Sequence, residues 1–74
     1  MTEEIRIQKS YIERQLMWIS ACEDFFKAKD SRIIESMIIT TRVFLNKLQI
    51  DKARESVQNI FKKYPTIEQM IKEN

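Results

Sequence analysis

Ile33–Leu48, IIESMIITTRVFLNKL, is the stretch whose periodicity decides the fold. Ile33, Met37, Phe44 and Leu48 recur at steps of four and seven, and Thr41 fills the gap in that row. Ile34, Ile38 and Leu45 widen the row by one position. At 3.6 residues per turn this spacing makes a helix with a broad apolar face. Its many β-branched residues are mediocre helix formers, because their χ1 angles are restricted. Packing, rather than propensity, is therefore expected to hold it.

Upstream, Thr2 is placed to cap a helix whose first turn carries Glu3 and Glu4, the charge that a helix N-terminus favours. Nothing breaks a helix from there to about residue 28. Ile5, Ile12, Ile19 and Phe26 recur every seven residues. Tyr11, Trp18 and Phe25 run beside them, and Leu16 and Cys22 complete the face. The apolar arc covers about half the circumference, wider than the ~100° a surface helix needs. Such a helix is expected to be contacted on two sides, by its own core and by another chain. Gln8 and Gln15 fall within that arc, where polar residues either fix register or lie at a wet margin. The segment Lys27–Ser31 reads as a turn, with Asp30 or Ser31 capping a second helix over about 32–47. With no glycine in the chain, Lys29 or Asp30 is expected to take the strained conformation of that turn.

Ile39, Val43 and Ile50 lie off the main stripe, on the far side of the second helix. They read as a second contact face, or more plainly as scattered exposed apolar residues. Asp51 is a good N-cap for a third helix over 52–63, with Ala53, Val57, Ile60, Phe61 and Tyr64 as its apolar row. Pro65 should end it. Thr66–Gln69 matches a capping box for a last helix over 67–73, which carries Ile67, Met70 and Ile71 and must either dock or fray. The expected fold is all-α: a three-helix bundle, made of a long helical hairpin plus a third helix, with a short C-terminal fourth, in one domain over 1–74. The row Phe44, Ala53, Val57 and Pro65 resembles part of a tetratricopeptide repeat over about thirty residues. It departs from that family at Thr41 and Ile60, where small residues belong, and Ile19 stands where a preceding copy would have its Ala. It is read as a helix hairpin converging on the pattern; a true repeat would imply peptide or protein binding.

The size of the chain bears on partners. A domain of 74 residues buries only ~60% of its unfolded surface, and such scaffolds usually add disulfides, a metal or another chain. One cysteine forms no disulfide within the chain. One cysteine and no histidine make a zinc site improbable, and an oxygen-ligand loop wants a glycine. No metal or other cofactor is expected, and a partner chain, identical or different, is what remains. The net charge of +2 is uneven: residues 1–30 hold five Lys/Arg against six Asp/Glu, −1, and residues 31–74 hold eight against five, +3. The acidic start lacks the apolar core of a signal peptide, and no stretch nears the ~20 apolar residues of a membrane span. A lone cysteine suits a reducing compartment, so a cytoplasmic location is expected. The preference for Ile and Lys over Ala is that of AT-rich coding, as in a bacterium, virus or protist.

Catalytic parts are scarce. Histidine, the commonest general base, is missing, as is the glycine of phosphate loops and nucleophile elbows. Cys22 sits on an apolar face late in the first helix, where core packing outweighs nucleophilic chemistry. Neither enzyme activity nor a small-molecule substrate is expected. The leading expectation is a non-catalytic protein-binding module, a regulator, inhibitor, adaptor, chaperone or assembly factor, acting as a homodimer or on another protein. Its interface candidates are Tyr11, Gln15, Trp18, Phe25, Ile39, Val43 and Ile50; Trp18 taken alone reads more readily as a core residue. The alternative is a small DNA-binding regulator that uses Arg54, Gln58, Asn59, Lys62 and Lys63 on the third helix. Glu55 within that face favours a plain solvated surface instead. A membrane-surface role is disfavoured, since Glu13 and Asp24 mix with Arg6 and Arg14 on the polar side of the first helix.

Overall fold

The computed structural model describes residues 2–73; Met1 and Asn74, the ends of the expected domain, lie outside the described residues. The fold is all-α. Helix α1 spans Glu3–Cys22 and runs into a 3-10 turn, Glu23–Phe25. Helix α2 spans Ala28–Asn46, α3 spans Ile50–Lys63 and α4 spans Pro65–Glu73. The first three pack on one another, and α4 lies against α3 and α1. Arg54, early in α3, bonds to Gln8, early in α1. Tyr64, just past α3, stacks edge-on against Phe26, just past α1. Helices α1 and α3 therefore run the same way, and α2 returns between them.

Thr2 caps α1 as expected: its Oγ1 accepts the Ile5 N–H at 3.2 Å. The helix stops six residues short of the expected end. No basic residue occupies its last turn, and Glu23 and Asp24 follow it directly. Both charges oppose the negative end of the helix dipole. Phe26 and Lys27 are extended, and Lys27 stands as the residue before α2. Because these two carry the reversal in ordinary extended geometry, Lys29 and Asp30 take no strained conformation; both are helical. Nor does Asp30 or Ser31 cap α2. Asp30 lies in its first turn, where its carboxylate accepts the Tyr64 hydroxyl at 3.1 Å.

Among the described residues the one left-handed residue lies at the second turn. Leu48 has φ 59°. Its N–H bonds to Leu45 O at 2.9 Å, and Gln49 N–H bonds to Phe44 O at 2.9 Å. This is the Schellman closure of a helix, made here without the glycine that usually occupies it.

The buried row of α2 is Ile34, Ile38, Thr41 and Leu45. That is one row over from the stripe expected to be central. Ile33, Met37 and Phe44 are half-buried flanks, and Leu48 is exposed. Fully buried Thr41 donates its hydroxyl proton to Met37 O at 2.8 Å, so the Ser56 hydroxyl donates to Thr41 Oγ1 at 2.6 Å. Both polar groups are thereby satisfied inside the α2–α3 contact.

Helix α3 begins at Ile50, so Asp51 lies in its first turn instead of capping it. Ile50, Ala53, Val57, Ile60 and Phe61 are its buried row. Pro65 does end α3, and it also opens α4 as the first helical residue, a position where its missing N–H costs nothing. Thr66 consequently sits inside the first turn of α4, not at a capping box. Helix α4 docks: Ile67 is fully buried, and Met70 and Ile71 pack against the common core.

Candidate functional site

The core draws on α1 through Ile12, Leu16, Ile19 and Cys22. Along α1 the neighbouring row faces out. Tyr11 is 61% exposed and Trp18 44%, and Phe25, on the 3-10 turn just past the helix, 76%. Ile7 and Met17, which the periodicity of the sequence did not single out, are exposed with them. Gln15 is half-buried at the edge between this row and the core. A shallow depression lined by Ser10, Glu13, Arg14, Met17, Trp18 and Ala21 continues into a second one lined by Arg6, Ile7, Ser10, Tyr11 and Arg14. On its other side Met17 and Glu13 share a third depression with Arg42 and Asn46 of α2. The outer side of α1 is thus an apolar strip edged by arginine, serine and Glu13.

Ile39, 56% exposed, and Val43 face solvent on α2, as expected for a second face. Ile50 does not join them. It is buried, 8% exposed, because it belongs to α3 and points with Ala53 and Val57 into the interior. The Lys47–Gln49 turn breaks the row that a continuous helix would have extended to it.

The five nucleic-acid candidates are exposed on α3 and spread over half of its circumference. At about 100° per residue, Arg54 and Lys63 lie half a turn apart. Arg54 is drawn toward α1 by Gln8 at 3.0 Å and lies 3.9 Å from Asp51. Lys63 Nζ sits 5.9 Å from the ring centre of Tyr64. Asp51 and Glu55 occupy the middle of the face. Between α2 and α3 runs a groove of mixed lining that sequence reasoning missed, with Met37 and Phe44 beside Ser36, Thr40, Lys52, Glu55, Ser56 and Asn59. It arises only where two helices meet, so no single-helix pattern signals it.

Burial pushes the Cys22 thiol up, so the nucleophilic thiolate is disfavoured at neutral pH. Burial raises Glu23, and the charges of Glu35 and Asp24 raise it further. Burial also raises Tyr64, together with its hydrogen bond to Asp30 and that carboxylate's charge. Among the described residues no three His, Cys, Asp or Glu side chains gather as a metal site, and no helix is long and apolar enough to cross a membrane. No family model, curated protein or solved structure matches the chain.

Proposed function

We propose that this chain is a non-catalytic helical interaction module, a regulator, inhibitor, adaptor, chaperone or assembly factor that acts by covering a partner's surface, with a second copy of itself among the partners. The observation that carries this reading is the outer side of α1, where Ile7, Tyr11, Met17 and Trp18 stand in solvent, with Phe25 exposed on the 3-10 turn that follows. Isolated exposed apolar residues are ordinary, but four large ones along one helix and a fifth just past its end are the composition of an interface. Tyr and Trp are also the residue types that anchor interfaces. Ile39 and Val43 offer a second, smaller patch on α2. The duplex-binding alternative is less well supported, because its cations diverge and acids hold the centre of the face.

The test is charge introduction without unfolding. Trp18→Glu and Ile39→Glu should keep the helical circular dichroism of the parent. One or both should lose association, whether with another copy or with a protein co-purified from the native host. If both variants and the parent are alike monomeric and partnerless at micromolar concentration, the reading fails.

A further inference from the structure

We infer that α1 is the seam of a two-fold homodimer in which two copies of this helix pair antiparallel, centred beside Leu16. The inference rests on the interaction-module reading and names its occupant. Within α1, Ile7, Tyr11, Arg14, Trp18 and Ala21 follow one another at steps of four, three, four and three, and Phe25 comes four further on, in the 3-10 turn that ends the helix. That is the 3.5-residue period of a helix–helix seam. Each of the six is exposed. The chain therefore carries a heptad row on the side of α1 that its own core does not use, interrupted in apolarity only by Arg14 and the small Ala21.

Those two interruptions choose the orientation. A parallel pair would set Arg14 on Arg14 and Trp18 on Trp18, a like-charge contact in a desolvated seam. An antiparallel pair sets Arg14 over the Trp18 ring of the second copy, twice, and guanidinium over indole is a favourable cation–π arrangement. The same register places Tyr11 against the small Ala21 and brings Ile7 toward the 3-10 turn that carries Phe25. On the outer flank Met17 meets Met17. On the flank nearer the core Gln15 meets Gln15, whose amides can each donate and accept. No like charges face each other anywhere in the row. Five large side chains standing about half or more in solvent offer on the order of 600 Å², against about 800 Å² per partner in a stable interface. Arg14 and Ala21 supply much of the difference.

Sedimentation equilibrium of the full chain should show a dimer at micromolar concentration. Arg14→Glu, an exposed change that leaves the fold intact, should raise the dissociation constant tenfold or more. Two single-cysteine variants in a Cys22→Ala background read the orientation with a short bismaleimide linker. Met17→Cys should cross-link into a dimer. Ile7→Cys should not, because its two copies lie roughly 27 Å apart in the antiparallel register. Efficient cross-linking through Ile7→Cys overturns the inference, as does a parent that stays monomeric at 100-fold higher concentration (about 100 μM). If the Cys22→Ala background unfolds, the parent and Arg14→Glu masses still decide. A monomer that forms a one-to-one complex with a different protein through Trp18 overturns the seam while leaving the module reading standing. A monomer that binds nothing overturns both.

Discussion

Replacing Ile50 and Ile39 by alanine, one at a time, tests where the interior of this protein ends. The two residues are eleven positions apart, and the periodicity of the sequence places them on one face. The structure buries Ile50 to 8% exposure and leaves Ile39 56% exposed. Truncating a buried isoleucine costs about 2–5 kcal/mol, the lost transfer free energy plus the cavity left behind. Ile50 lies at the first turn of α3, where neighbours can relax, so about 2–3 kcal/mol is expected. Ile39 keeps less than half of a burial worth roughly 1.5–3 kcal/mol. Its truncation should cost about 1 kcal/mol, offset by a few tenths from alanine's better helix propensity. A domain of this length has ~4–11 kcal/mol of total stability, so the first change removes a large fraction and the second little. At ~4–8 °C per kcal/mol for a small domain, Ile50→Ala should melt roughly 10–20 °C lower and Ile39→Ala within about 6 °C of the parent. Urea titrations followed by circular dichroism at fixed protein concentration measure both. Equal losses at the two sites, or a larger loss at Ile39, would refute the boundary between core and surface drawn here.

Leu48→Gly should stabilise the fold by about 1 kcal/mol in the same titration, because a left-handed backbone costs any residue with a Cβ ~1–2 kcal/mol and the exposed side chain returns only part of that. Thr41→Val alone removes the partner of the Ser56 hydroxyl and should cost about 1 kcal/mol, whereas Thr41→Val with Ser56→Ala should cost less than the two single changes added together; additivity would show that the 2.6 Å contact contributes nothing. Glu23 has a folded-state pKa raised above its ordinary value, so its contribution is present at low pH and is lost as pH rises through the raised value. Glu23→Gln should therefore stabilise at pH 7 by a few tenths of a kcal/mol and not at pH 3, and a loss at pH 7 would contradict the placement of Glu23 near Glu35 and Asp24. Tyr64 is likewise raised, so the parent should lose stability as pH climbs past about 10, while Tyr64→Phe should show a flatter profile across that range at the expense of the Asp30 bond.

Much of the local structure was legible along the chain. Seven-residue recurrence marked Ile12 and Ile19 as core, Thr2 with Glu3 and Glu4 marked the start of α1, and Ala53, Val57, Ile60 and Phe61 marked the inner face of α3. The exposed row Tyr11, Trp18 and Phe25 was visible as surplus apolar surface. The seven-residue step between them was visible too, but not the positions that fill it, because these hold Arg14 and the small Ala21. Ile50 was misplaced because its side depended on which helix owned it, and that turned on a Schellman closure with leucine at the glycine position. The end of α1 was misread because no breaker residue marks it; two unfavourable acidic charges and an inward-turning Phe26 end it instead.

The sequence by itself determined that this chain is helical, how many helices it forms and which residues of α1 and α3 seek the interior. Those properties depend on spacing within about two turns, where 3.6 residues per turn leaves one solution. Only the tertiary structure decided which row of α2 is central, that Ile67 brings α4 onto the core, and that the Thr41 and Ser56 hydroxyls meet inside. Each of these depends on where a second helix arrives, and a helix broadly apolar on one side can present any of several rows until its neighbours are in place.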